Sequence, residues 1–256
     1  MPRYAVGVDI GGTFTDATLT NLETGDVSVF KVPTTPSDFA KGFMDVMSQI
    51  GRTVELHELS RLAHGTTIAT NAIIQHKVAK AGFVTTKGFR DTLEIQRQIR
   101  PRLYDNFVEK PKPLIPRSLC FEVRERVGPS GEVVQSLDAE DAVSVAKKLR
   151  EERVESVAIC LLHSYANPAH EQRLVEIMKN EFPDAYFTTS SDVCPQYREY
   201  FRASTTVVNA CILPIMSRYL GSLQSKLRAE GVTCQIQIMQ SGGGTMTAEA
   251  ATNSPM

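Results

Sequence analysis

The sequence predicts an α/β fold in which helices flank a mixed sheet, and three observations predict it. The first forty residues alternate apolar and polar side chains as strands do, in runs separated by tight turns. Beyond them, β-rich runs take turns with segments of helical periodicity, the pattern of a sheet covered by helices. One run, VESVAICLLH, is apolar almost throughout, as a strand buried on both faces is.

Each element follows in order. Tyr4 to Ile10 is β-rich, Phe14 to Leu19 continues after a Gly-Gly turn, and Val27 to Val32 follows a turn at Thr24-Gly25-Asp26. These three make a meander, which Pro33 to Pro36 breaks. Ser37-Asp38 caps a helix whose apolar face is Phe39, Phe43, Val46, Met47 and Ile50. A short strand runs into AHGTTIATNAIIQ, where Thr67 or Thr70 opens a helix, and Val78 to Thr85 is the next strand. From Lys87 to Pro116, Gly88 and the prolines 101, 111, 113 and 116 mark a long surface excursion with short helical pieces.

SLCFEVRERV, the turn GPSG and EVVQSL read as a hairpin. Asp138 caps an amphipathic helix reaching Arg150, and the VESVAICLLH strand follows. A helix from about Pro168 to Asn180 and an extended AYFTTSS lead into a helical zone from Gln196 to Glu230, which Pro214 interrupts. The strand CQIQIMQ and the loop SGGGTM come last.

Composition narrows the function. The 256 residues suffice for one large or two modest domains, and 42% apolar with 22% charged residues is the balance of a soluble globular protein. Net charge is −1 with both signs interspersed, so nothing favours nucleic acid or an anionic membrane. No apolar run is long enough to span a bilayer, and MPRYAVGVDI begins a strand rather than a signal-peptide core. Five dispersed cysteines, at 120, 160, 194, 211 and 234, fit free thiols in a reducing cytoplasm and argue against a cysteine metal site.

The chemistry-bearing stretch is VGVDIGGTFTDATL. Gly11-Gly12 lets the main chain turn tightly and lets another group approach it closely. Exposed amides in such a turn cradle anions, with the Thr13 and Thr15 hydroxyls beside them. Asp9, at the strand end, is placed to hold Mg²⁺ through water, with Asp16 in support. The alternative is an ordinary hairpin turn, and the residues alone leave the two about even. The stretch is neither a Walker loop nor a dinucleotide fingerprint. In AHGTTIATNAIIQ, His64 and Gly65 end a strand and Thr66-Thr67 open a helix that could receive a second anion or a carbonyl oxygen. Ordinary capping by Thr67 is the competing reading.

GVDIGGTFTD, HGTTIATNAI, TTKGFRDTLEIQRQ, LLHSYANPAHE, REYFRASTTVVNA and IMQSGGG occur in that order. Together they resemble the N-terminal part of the hydantoinase A/5-oxoprolinase family, which includes the ATP-using subunits of acetone and acetophenone carboxylases. The resemblance covers essentially the whole chain. It implies the ribonuclease H-like lobe of the actin, sugar-kinase and heat-shock-chaperone type, in which two lobes close over ATP.

It also implies chemistry: the γ-phosphoryl group moves to the carbonyl oxygen of a cyclic amide or ketone, and water or activated bicarbonate then attacks the carbon. Carried onto this chain, Asp9 orients Mg²⁺ or the attacking oxygen. Gly11, Gly12 and Thr13 bind phosphate beside Thr15 and Asp16, and His64, Gly65, Thr66 and Thr67 lie near the substrate. Asn71 is a weaker candidate. Arg90-Asp91 reads as a structural pair, and Glu199 with Arg202 as an exposed ion pair or, by resemblance, a site pair. SGGGTM is either a cleft lining or a flexible turn. His163 and His170 carry no ligand spacing.

The implied substrate is a lactam, a hydantoin or a ketone, and the implied partner a hydantoinase B-type subunit. Residues 1–200 would form the N-terminal lobe, and 201–256 the connecting helices and the start of a second lobe. Family chains continue with S-G-P-A-G-G, whereas this sequence stops at TNSPM. The expectation is therefore weak nucleotide binding and little turnover by this stretch alone. A non-catalytic nucleotide-binding lobe is the reading from another class.

Overall fold

The computed structural model describes residues 3–35, 38–99, 102, 104–105 and 107–253. Its contacts divide the chain into two units: residues up to Lys77 together with those from Ile215 onward, and Val78–Pro214.

The first unit opens with the predicted meander: β1 (Tyr4–Ile10), β2 (Phe14–Asn21) and β3 (Val27–Pro33), each antiparallel to the next. Helix α1 (Phe39–Ile50) starts where the Asp38 carboxylate accepts the Lys41 amide at 3.2 Å, a side-chain cap. Pro36 and Ser37 lie outside the described residues, as does Pro101. Strand β4 (Leu59–Thr66) pairs parallel with β1 and runs into the short helix α2 (Ile68–Ile74).

The second unit holds β5 (Ala81–Thr86), α3 (Thr92–Ile95), β6 (Cys120–Val123), β7 (Arg126–Val127), β8 (Val133–Gln135), α4 (Ala139–Glu151), β9 (Ser156–Cys160), α5 (Ala169–Glu181), β10 (Tyr186–Thr189) and α6 (Ser190–Val193). Four parallel strands form its sheet in the order β10-β9-β5-β6, and β9 is buried at every position, as its apolar run predicts. Asp138 caps α4 by accepting the amides of Glu140 and Asp141.

Two expectations are corrected here. SLCFEVRERV is not one hairpin arm: Cys120–Val123 joins the parallel sheet, and only Arg126–Val127 pairs with Val133–Gln135. The break falls where Arg124 is held by Asp141 (2.6 Å) and Glu125 turns inward to Thr86 and His170. Pro214, in turn, does not end the helical zone. Helix α7 (Glu199–Ala229) is continuous through it. Proline removes the donor for the carbonyl four residues earlier, and here the Ser156 hydroxyl supplies one to Ala210 O at 2.6 Å. The Ala79 amide does the same for Cys211 O at 3.0 Å.

The chain then re-enters the first sheet through β11 (Ile236–Met239), parallel to β4, and β12 (Thr245–Thr247), before α8 (Ala248–Asn253). The sheet order is β12-β11-β4-β1-β2-β3, a mixed sheet with helices against it. One face packs Val6, Val8, Ile10, Leu62 and Ile238 against α1 and the Met216–Leu227 part of α7. Among the described residues no helix is long and apolar enough to cross a membrane.

Candidate functional site

Strand alternation sorts the predicted residues onto two faces. Val6, Val8 and Ile10 point into the core, so Gly7 and Asp9 point the other way. Asp9 stands opposite Asp16 on β2 and opposite Gly65 on β4. The glycine makes room for it: a Cβ on Gly65 would sit 2.9 Å from Asp9 Oδ1. A cleft of about 600 Å³ lies over this face, lined by Asp9, Asp16, Gly65, Thr66, Thr67 and Gln240, among others. No hydrogen bond or ion pair to the Asp9 carboxylate forms among the described residues. Asp16, by contrast, pairs with Lys31 Nζ at 3.0 Å.

The Gly11-Gly12 turn closes through the Gly11 amide, which donates to Phe14 O at 3.0 Å. A Cβ on Gly11 would press that same oxygen at 3.1 Å, so any side chain there would push the turn apart by a few tenths of an ångström. From below, Thr34 Oγ1 donates to Gly11 O (3.0 Å) and shares a hydrogen bond with Thr15 Oγ1 (3.1 Å). Gly12 and Thr13 are exposed, and their amides have no acceptor among the described residues. Open space surrounds Gly12. The turn thus combines a rigid base with two free donors, the makings of an anion cradle.

Thr15 and His64 are not brought to the cleft. Thr15 is fully buried and supports the turn. His64 lies in the core, its ring edge-on to Phe43 at 5.0 Å, because the parity that turns Gly65 toward Asp9 turns its neighbour inward. Its Nδ1 bonds Val8 O at 3.2 Å, and its Nε2 lies 2.7 Å from the Tyr219 hydroxyl. A carbonyl only accepts, so Nδ1 carries the proton and Nε2 accepts from Tyr219. Burial lowers the His64 pKa to about 4, leaving the ring neutral, and raises that of Tyr219.

At the start of α2, the Thr66 hydroxyl, not that of Thr67, accepts the Ile68 amide (3.2 Å), while Asn71 Nδ2 donates to Thr67 Oγ1 (3.1 Å). SGGGTM divides: Ser241 lines the cleft, whereas Gly243 and Gly244 close a tight turn back on Gln240. Met239 and Gln240 also face the cleft and went unnoticed in the sequence, since the β4–β11 pairing that brings them there is remote along the chain.

The other candidates belong to the second unit. Arg202 makes no exposed pair with Glu199. It is buried, donating from Nη2 to Leu161 O (2.7 Å), from Nη1 to Gln196 O (3.0 Å) and from Nε to Ser190 Oγ (3.1 Å). Ser190 Oγ also lies 2.6 Å from Glu171 Oε1, so a buried Arg–Ser–Glu chain replaces the expected surface pair. Asp91 pairs with Arg117 rather than Arg90. His163 Nδ1 bonds Val127 O, and His170 Nδ1 bonds the buried Glu125.

Among the described residues no three His, Cys, Asp or Glu side chains gather as a metal cage. The unpaired Asp9 carboxylate still fits Mg²⁺, which keeps most of its waters and takes one or two carboxylates plus phosphate oxygens.

Sequence comparison finds the hydantoinase/oxoprolinase N-terminal region over residues 5–182 and hydantoinase/oxoprolinase over 202–256. The caprolactamase subunit alpha of Pseudomonas jessenii is 34% identical over 94% of this chain and 36% of its own length. The acetophenone carboxylase gamma subunit of Aromatoleum aromaticum is 33% identical, over 94% of this chain and 35% of its own. Yeast 5-oxoprolinase (Saccharomyces cerevisiae) is 30% identical, over 93% and 22%. An uncharacterised Methanocaldococcus jannaschii protein is 40% identical over 98% of this chain and 37% of its own length.

Two solved structures superpose closely. Nucleotide-free acetone carboxylase has a TM-score of 0.88 at 26% identity, over 99% of this chain and 39% of its own. ATP-dependent caprolactamase from P. jessenii has 0.86 at 33%, over 96% and 36%. The lobe fold implied by the motifs is thereby established. The chain spans well under half the length of each of these relatives.

Proposed function

This chain belongs to the hydantoinase/oxoprolinase family, and on that premise we propose that it forms the nucleotide-facing lobe of an ATP-dependent enzyme that opens a cyclic amide such as 5-oxoproline or a hydantoin. The observation that carries the reading is the Asp9 carboxylate: unpaired, over a glycine that leaves it room, beside a turn with two free amides.

In this reading Gly12 and Thr13 take phosphate oxygens through their free amides, on a turn that the Gly11 amide closes and that Thr15 and Thr34 hold from below. Asp9 holds Mg²⁺ through water, and Asp16, paired with Lys31, takes no part in holding the ion. The ion, when bound, offsets phosphate charge and lines up the transferring group. Thr66 and Thr67 present hydroxyls to the substrate carbonyl across the same cleft. His64 acts from behind, its neutral ring donating to the carbonyl of Val8, the residue before Asp9. A lactam carbonyl resists water, and phosphorylating its oxygen supplies a leaving group. The residues contribute chiefly position and charge stabilisation. A hydantoinase B-type subunit is the proposed partner, and the cytoplasm the proposed compartment.

Amide resonances of Gly11, Gly12 and Thr13, followed while Mg²⁺ and a non-hydrolysable ATP analogue are titrated in, test the site. Shifts centred there and lost in Asp9→Asn are expected. Shifts elsewhere with the turn unmoved would overturn it. For the whole enzyme, lactam labelled with ¹⁸O at the carbonyl should deliver that label to inorganic phosphate.

A second reading, the ATP-using subunit of a ketone carboxylase, is favoured by the likeness to acetone carboxylase. Labelled bicarbonate separates the two, since only the carboxylase retains it in product.

A further inference from the structure

We propose that Lys31 is a positioning residue of this site: by neutralising Asp16 it leaves Asp9 as the one uncompensated carboxylate beside the phosphate turn. The inference rests on the nucleotide reading above.

The argument begins with register. Asp9 on β1 lies opposite Asp16 on β2, and Asp16 lies opposite Lys31 on β3, so three charges form a row across three strands. Like charges directly opposite on neighbouring strands repel. Asp9 and Asp16 form such a pair, at the strand ends nearest the Gly11-Gly12 turn. Lys31 Nζ sits 3.0 Å from Asp16 Oδ1 and 4.5 Å from the centre of the Phe14 ring, the first residue of β2 after the turn. Carboxylate and aromatic face together hold the ammonium at the edge of the turn.

An anion arriving at the Gly12 and Thr13 amides meets this row. With Lys31 in place the row carries one net negative charge, on Asp9, where a cation is wanted. Without it the row carries two, and the second repels phosphate with nothing to offset it. The pair is half exposed, so its worth to folding is small. Its worth to an anion at the turn is larger, because among the described residues no lysine or arginine lines the cleft itself.

The test is a charge cycle on nucleotide affinity, measured for this chain by calorimetry with Mg²⁺ and a non-hydrolysable ATP analogue. Lys31→Gln should weaken binding by about three- to tenfold, the scale of one partly screened charge near a surface. Lys31→Arg should bind like the unaltered chain. Adding Asp16→Asn to Lys31→Gln should restore affinity to within about twofold, because the row again carries one charge. The loss in Lys31→Gln should also shrink as salt rises.

Unchanged affinity in Lys31→Gln overturns the proposal while leaving the nucleotide reading intact. So does a double variant as weak as the single one, which would make Lys31 a direct phosphate ligand. Failure of the unaltered chain to bind at all overturns the nucleotide reading and this inference with it.

Discussion

The hydroxyl of Ser156 donates a 2.6 Å hydrogen bond to the carbonyl oxygen of Ala210, the carbonyl that Pro214 deprives of its helical donor. A 31-residue helix thus runs through a proline because a strand residue beside it supplies what the proline lacks. Ser156→Ala should strand that buried acceptor and cost about 1–3 kcal/mol. Pro214→Ala restores a main-chain donor, so Ser156→Ala should cost clearly less in that background. Urea unfolding of the four proteins in this cycle measures the difference, and strict additivity would show that Ser156 and Pro214 are uncoupled.

Gly65→Ala separates site from scaffold. The added methyl would press on Asp9 Oδ1 at 2.9 Å, the end of a flexible side chain, which can swing aside. Stability should change by less than about 1 kcal/mol, as is usual away from the core. Nucleotide affinity should fall more than about tenfold, as expected when a carboxylate is moved off its working position. Thermal melts and the calorimetric titration, run on the same preparation, check the two halves.

His64 gives a pH signature. Burial lowers its pKa from 6.5 to about 4, so above pH 6.5 folded and unfolded chains both hold it neutral and it adds no slope. Between those values the unfolded chain takes up a proton that the folded chain refuses. Stability is therefore lost as pH falls, by about 3 kcal/mol in all from this group. Denaturant midpoints from pH 7 to pH 4 should fall more steeply in the unaltered chain than in His64→Asn. Parallel profiles would mean the ring titrates in place.

Arg202 should tolerate no replacement. Its guanidinium donates in three directions, to Leu161 O, Gln196 O and Ser190 Oγ, and the last adjoins buried Glu171. Arg202→Ala leaves those three acceptors without their donor, at about 3–5 kcal/mol together. Arg202→Lys should recover little, since one ammonium cannot reach all three. Chemical denaturation of both variants decides it.

What the sequence disclosed was local. The meander, the Asp38 and Asp138 caps and the buried run ending in Cys160 follow from alternation and short-range hydrogen bonds, and all stand in the structure. What it concealed depended on partners far along the chain. Nothing near Pro214 announces Ser156, and nothing near Arg202 announces Leu161 or Ser190. The split of Cys120–Val127 is of the same kind, set by Asp141 and His170. At the site, Asp9 and the Gly-Gly turn were legible because their chemistry is written in adjacent letters. The inward turn of His64 follows from strand parity once the β1–β4 pairing is known: if Asp9 and Gly65 share a face, the histidine takes the other.

Strand β11 pairs with β4 from beyond the whole of the second unit. On the ribosome this order of events is unavoidable. The meander and β4 emerge first, the second unit can close while they wait, and the edge of β4 stays unpaired until Ile236–Met239 is made. A newly made chain therefore carries an open strand edge for as long as the second unit is being made. Chaperone capture and misassembly of nascent chains should concentrate in that interval and end once residues past Met239 have cleared the exit tunnel.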